Sequence, residues 1–123
     1  MIHDNQPTTV AEIIARYRDC DRIFIDLDLE DEMDFADAHL EGAIFDGTWL
    51  SEASFRGCKL QHASFRRCNL KCTDFRGADL RNTVFCEAAL ECSEFAGAIL
   101  DGAIFTGSTS YGYTLKDDDL PPQ

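Results

Sequence analysis

Thr73-Asp74-Phe75-Arg76-Gly77-Ala78-Asp79-Leu80-Arg81-Asn82 makes one statement twice. A large apolar residue stands at 75 and again at 80, with a small residue two places before each, at 73 and 78. Outward from this stretch the spacing holds in both directions. Phe occupies 35, 45, 55, 65, 75, 85, 95 and 105, and Leu occupies 40, 50, 60, 70, 80, 90 and 100. Fifteen apolar centres thus follow one another at intervals of five. The position two before the centre is Ala, Thr, Cys or Ser from Ala38 to Ala103; only Met33, before Phe35, is large. Glycine often follows two places after it, as at Gly57, Gly77 and Gly97. Of the nine phenylalanines only Phe24 stands outside this register.

A period of five is neither the 3.6 of a helix nor the 2 of a strand. A helix would spread these centres around its whole surface, and a strand would throw them to alternate faces. The pattern asks for a turn about every five residues, each sending one large and one small side chain inward. A coil that closes on itself does this.

These residues resemble the pentapeptide-repeat family, whose consensus is Ala, then Asp or Asn, then Leu or Phe, then two variable residues. Ala78-Asp79-Leu80-Arg81-Asn82 matches it fully and Cys68-Asn69-Leu70-Lys71-Cys72 nearly so. The resemblance runs from residue 33 to about 108. It departs before the centre, where only Asp34, Asn69, Asp74 and Asp79 carry Asp or Asn. It implies an all-β fold, a right-handed quadrilateral parallel β-helix of about four coils with four pentapeptides in each. Twenty residues per coil would sort the core into columns. Phe35, Phe55, Phe75 and Phe95 share one face, and Phe45, Phe65, Phe85 and Phe105 the opposite one. Leu40, Leu60, Leu80 and Leu100 fill a third face, and Leu50, Leu70 and Leu90 the fourth.

The ends read differently, giving a division into 1–32, 33–108 and 109–123. Thr9-Val10-Ala11-Glu12 has the form of a capping box, with Glu12 reaching back. The helix after it places Val10, Ile13, Ile14 and Tyr17 on one face. Arg22 to Leu29 reads as a strand in which Ile23, Ile25, Leu27 and Leu29 alternate with Phe24, Asp26 and Asp28. Helix and strand together are the N-terminal cap a solenoid requires. Beyond residue 108 the register fades. Tyr111, Tyr113 and Leu115 are expected to cover Phe105 and Leu100, before an acidic tail. The resemblance offers a second use for this last coil, a homodimer interface.

The chain of 123 residues fits one domain. It has no apolar run near the ~18 residues of a membrane span, and no secretory signal at its start. Its six cysteines are therefore expected as reduced thiols. The formal net charge of −12 argues against direct binding of nucleic acid or anionic lipid. It is not evenly spread. Residues 28–53 hold nine acidic residues and no Lys or Arg, while residues 54–81 hold seven Lys and Arg against two acidic residues. Residues 82–123 hold seven acidic residues and one Lys. An acidic first coil and an acidic end flank a basic waist.

Nothing in the pattern calls for catalysis, a metal or a cofactor. Cys58, His62, Cys68 and Cys72 have a spacing like that of a zinc site, but a coil points them to different sides, so they cannot converge on one ion. Ser54, Ser64, His62 and Asp74 supply the residue types of a hydrolase triad on a solid core without a pocket. Cys72 and Cys92, twenty residues apart, are the one pair placed for a disulfide; two reduced thiols are the favoured reading.

Two surface features remain. Outward Ile44, Val84 and Ile104 share a column interrupted by Ser64, expected as cover by the N-terminal helix or else as a partner surface. In the waist, Arg66 and Arg67 are adjacent, and Arg56 and Arg76 stack with Asp74 and Glu94 nearby to offset them.

The first functional reading is a non-catalytic protein-interaction or scaffold module whose protein partner is unknown. The second comes from the resemblance. Some family members bind DNA gyrase by imitating duplex DNA, as inhibitors or protectors, yet the basic waist breaks the continuous negative stripe this needs. The third is self-association of the acidic coil with the basic waist. The family's commonest setting suggests a bacterial cytoplasm.

Overall fold

The computed structural model describes residues 6–121, so readings that touch residues 1–5 and Pro122 lie outside the described residues. From Asp34 with Ser54 to Ala89 with Thr109, parallel backbone bridges link residues twenty apart. Each extended segment contributes a single bridging residue, because a turn follows every five residues. The chain is a β solenoid with the period the centres predict.

The Phe75 repeat shows how five residues satisfy five amides. Phe75 donates upward to the Glu94 carbonyl at 2.8 Å and Gly77 to that of Ala96 at 3.0 Å. Ala78 closes the turn on the Phe75 carbonyl at 3.1 Å, and Asp79 donates downward to that of Cys58 at 2.9 Å. The remaining amide, Arg76, donates to Oδ1 of Asp74 at 3.0 Å. The same short-range bond recurs from Ala36 to Asp34, Lys71 to Asn69 and Arg81 to Asp79. Asp or Asn before the centre therefore completes the turn. The third residue of each turn lies at positive φ, as in a type II turn. Gly77 takes it at 71°, but Glu52, His62, Arg67, Cys72, Glu87 and Cys92 take it too, at 54–69°.

The inward slot before each centre accepts Ala, Thr, Cys and Ser for a reason the structure makes plain. A polar atom there bonds the carbonyl 23 residues earlier in five repeats, whereas Thr48 reaches Phe24 O and Ser93 turns back to Leu90 O. Cys58 Sγ donates to Phe35 O at 2.8 Å, Thr73 Oγ1 to Leu50 O at 2.9 Å and Thr83 Oγ1 to Leu60 O at 2.8 Å. Small size and a satisfied donor together keep the slot stable inside an apolar core.

That core is a double stack of rings. Phe65 lies parallel to Phe45 and Phe85 at 5.3 Å each, and edge-on to Phe55 at 5.4 Å and Phe75 at 5.6 Å. Every centre is buried except Leu100, which is half-buried in the last coil.

At the N-terminal side α1 spans Val10–Arg18. Thr9 Oγ1 accepts from the Glu12 amide at 3.2 Å, while Glu12 reaches back to the Thr8 amide at 2.8 Å, one residue before the one a capping box would use. Val10 and Ile13 are buried in the same core as the repeats. The expected strand over 22–29 is absent. Phe24 is fully buried, whereas Ile23 and Ile25 are exposed, and a turn follows with Asp26 at φ 56°. Phe24 stacks on Phe45 at 5.7 Å and Ile23 bridges Ile44, a spacing of 21. One additional residue between Leu29 and Phe35 hides this segment's membership of the register. Thr48 ties it down by donating to the Phe24 carbonyl at 3.0 Å and accepting from the Leu27 amide at 3.1 Å.

At the other end a short hairpin, β1 Thr109–Ser110 and β2 Tyr113–Thr114, turns the chain back. Leu115 is buried and exchanges bonds with Gly107 and Ser108 at 2.8 Å. Tyr111 and Tyr113, expected as cover, are exposed. Among the described residues the amides of Phe95, Gly97, Leu100 and Gly102, which would donate to a further coil, have no backbone acceptor. No described helix is long and apolar enough to cross a membrane.

Candidate functional site

The solid core leaves only the outside to act. The face over Phe45, Phe65, Phe85 and Phe105 carries one outward residue per coil in a bridged column: Ile23, Ile44, Ser64, Val84 and Ile104. Ile23 is 58% exposed and Ile104 48%, with the members between them half-buried. Ile25, 41% exposed, stands beside the lower end. Ser64 interrupts the column less than its hydroxyl suggests, since Oγ donates to Oδ1 of Asp46 at 2.6 Å.

The helix does not cover this column, which overturns the favoured expectation for Ile44, Val84 and Ile104. Tyr17 Oη donates to the Glu41 carbonyl at 2.7 Å and the Val10 amide to Asp31 at 3.0 Å, so α1 lies along residues 31–41. The stripe is also longer than the five-residue spacing predicts. Strand alternation over 22–29 puts Ile23 and Ile25 on an inward face; both point out. The repeated Ile-Phe dipeptide at 23–24, 44–45 and 104–105 is the signal that could place them outside.

The waist arginines divide into two sets. Arg76 grips Asp74 with two bonds, Nε to Oδ1 at 3.0 Å and a terminal nitrogen to Oδ2 at 2.8 Å, and meets Glu94 at 3.2 Å. Arg56 approaches the same Asp74 carboxylate at 3.9 Å. The Arg76 side chain, more than desolvation can offset, holds the Asp74 carboxyl below its usual range. Arg81 and Asp79 repeat the arrangement with bonds of 2.9 and 2.6 Å. In the open cleft of about 570 Å³ between Asp34, Asp37, Arg56 and Arg76, the two arginines are therefore paired with Asp74 and Glu94. The Arg66 and Arg67 side chains are exposed and make no ion pair among the described residues, although the Arg66 amide donates to Oδ1 of Asp46 at 3.0 Å. They follow Phe65, at the edge of the Ile column, so the unpaired charge lies next to the apolar stripe.

The decoy motifs stay apart. Cys58 and Cys68 are buried, donate to the Phe35 and Phe45 carbonyls, and are pushed by desolvation up to about 12. His62 and Cys72 are exposed at turns. Among the described residues no group of three or more His, Cys, Asp or Glu could hold a metal ion. Trp49 and Ile99 are exposed on other columns, bridged to Asn69 and Asp79.

The family model described as Pentapeptide repeat region matches residues 21–109. It begins at Asp21, in the segment that the repeat spacing leaves to a cap. Among curated proteins no sequence match is found. A pentapeptide repeat protein from Nostoc Pcc 7120 is 26% identical with a TM-score of 0.64, over 86% of this chain and 84% of that one. One from the Arabidopsis thaliana thylakoid lumen is 29% identical with a TM-score of 0.61, over 63% of this chain and 54% of that one. QnrB1, a plasmid-mediated fluoroquinolone resistance protein, shares the fold at 24% identity and a TM-score of 0.59, over 70% of this chain and 42% of that one. The chain thus spans about half the length of the last two proteins.

Proposed function

Because the chain belongs to the pentapeptide-repeat family, and so is a right-handed β-helix solenoid, we propose that it acts as a protein-interaction module without chemistry of its own. The observation that carries this reading is the column Ile23–Ile44–Ser64–Val84–Ile104, exposed at its ends and half-buried between, beside the Arg66 and Arg67 side chains, which make no ion pair among the described residues. The partner face that fits is an apolar ridge bearing a carboxylate at mid-height. The waist arginines Arg56, Arg66, Arg67 and Arg76 are candidates for the same partner surface, with Arg76 paired to Asp74 and Glu94 and Arg56 3.9 Å from Asp74. The finer architecture belongs to the same reading: a quadrilateral coil, about four coils, with residues up to 32 as cap and 109–123 as closing segment. So does the bacterial cytoplasm; the similar lumen protein means the fold does not dictate that setting.

The test is capture from the native host with wild type and with an Ile44→Asp/Ile104→Asp variant of unchanged circular dichroism. A partner held by wild type and lost by the variant supports the proposal. Identical captured sets refute it.

A second reading is the homodimer through the C-terminal coil, favoured by the amides of Phe95, Gly97, Leu100 and Gly102 that face no further coil. Sedimentation as a monomer at all concentrations would remove it, and salt-independent sedimentation would remove pairing of the acidic coil with the waist. Gyrase mimicry is disfavoured by the basic waist. Absence of supercoiling inhibition at micromolar protein would exclude it.

A further inference from the structure

Cys72 and Cys92 are both third residues of their turns, two places after Leu70 and Leu90, with φ of 56° and 69°. The Leu70 amide donates to Ala89 O at 2.9 Å and the Cys72 amide to Glu91 O at 2.8 Å, so one turn stacks on the other. Neighbouring strands lie about 4.8 Å apart, within the Cα separation of about 4.4–6.8 Å that a disulfide spans. Similar φ in stacked turns points the two side chains the same way, and both are exposed. Interaction with the Cys92 thiol, ahead of desolvation and the charge of Glu52, holds the Cys72 thiol above its ordinary range.

No other cysteine has this relation. Cys58 and Cys68 are buried, with their thiols donating to carbonyls. Cys20 follows α1, and the column of Cys86 holds Asp46, Arg66 and Thr106 instead of a second thiol.

We propose that Cys72 and Cys92 are a reversible dithiol–disulfide pair that takes its oxidising equivalents from a hydroperoxide. One thiolate attacks a peroxide oxygen; the S–O bond forms, the O–O bond breaks, and the leaving oxygen departs as water after taking a proton. The second thiolate attacks the sulfenic sulfur; the S–S bond forms, the S–O bond breaks, and the departing hydroxide takes a proton and leaves as a second water. Two thiols are oxidised and one hydrogen peroxide is reduced to two waters. A dithiol reductant reverses the change. The bond closes a loop of one coil at the corner where the ladder stops. Leu90 still donates to Thr109 O, but the Cys92 amide has no backbone acceptor among the described residues. Above that corner the Tyr111 amide reaches Glu91 at 3.2 Å.

The experiment treats the native full chain with hydrogen peroxide, quenches, and counts thiols after denaturation, with intact mass and a non-reducing tryptic map. The expected result is a fall from six free thiols to four in a monomeric chain. The mass falls by about 2 Da, the map joins the Cys72 and Cys92 peptides, and dithiothreitol restores the start. Cys72→Ser and Cys92→Ser each abolish the paired loss, while Cys20→Ser and Cys86→Ser leave it. Persistence of six thiols, a gain of about 16 or 32 Da as sulfenic or sulfinic acid, cross-linked dimers, or a bridge between other cysteines would overturn the proposal.

Discussion

Truncating one ring in the middle of the stack tests whether the columns act as a continuous core. Phe65 and Phe24 are both fully buried, so removing either side chain forfeits a similar transfer free energy. They differ in ring neighbours. Phe65 has four, two parallel and two edge-on, at 5.3–5.6 Å. Phe24 has one, Phe45 at 5.7 Å. A core Phe→Ala change costs about 3–5 kcal/mol, and each aromatic pair adds about 0.5–1.5 kcal/mol beyond its area. Three additional pairs place Phe65→Ala near the upper end, at about 5 kcal/mol, and Phe24→Ala near 3 kcal/mol, a gap of about 2 kcal/mol. Urea unfolding followed by far-ultraviolet circular dichroism reads the gap from midpoint and slope. Phe65→Leu, which keeps most of the volume, should stay within about 1.5 kcal/mol of wild type and guards against a variant that fails to fold. Equal losses for Phe65→Ala and Phe24→Ala, or a Phe65→Ala loss under about 1 kcal/mol, would refute the stacked-core reasoning.

Thr48→Ala removes the hydroxyl that bridges Phe24 O and the Leu27 amide, leaving a buried donor unpaired; a loss of about 2 kcal/mol is expected, with faster hydrogen exchange at the Leu27 amide, and Thr48→Ser should keep both. Gly42 sits at φ 75°, and a methyl added there would meet nothing within 4 Å. Gly42→Ala should therefore cost about 1–2 kcal/mol from backbone conformation alone, and Gly42→Asn less, as read by thermal melts. Asp74 is lowered from 3.8 in the folded state, so its contribution is present above that value and fades as pH falls through the lower folded one. Asp74→Asn should therefore flatten the acid side of a plot of urea midpoint against pH, at a neutral-pH cost below about 1 kcal/mol because Arg76 is partly solvated.

The period is readable because the two requirements of each repeat, a large side chain and a small one inward, leave their mark at fixed offsets from Phe35 to Phe105. The segment around Phe24 is not, because a single additional residue before Phe35 shifts it by one position. Strand alternation then reads Ile23 and Ile25 as inward, while backbone bonding to Ile44 and Asp46 turns them out. Position also hides the work of Asp34, Asn69, Asp74 and Asp79. Their side chains do project from the coil, yet they close its turns. For the candidate surface, spacing alone brings Ile44, Val84 and Ile104 into one column and puts Asp74 and Glu94 beside the stacked arginines. It does not say where the helix lies, because Tyr17 finds a backbone carbonyl at Glu41, which no side-chain pattern encodes.

The ladder bonds between coils run along the solenoid axis, and this gives the molecule a mechanical character. Tension between its two ends pulls each bond along its own length and loads those of the terminal coil first, so resistance is that of unzipping and not of shear. Each coil released exchanges a rise of about 4.8 Å for twenty residues of extended chain, a gain of roughly 60 Å. Compression or a sideways load meets the whole stack of rings at once. The solenoid is therefore stiff as a spacer and weak as a tether.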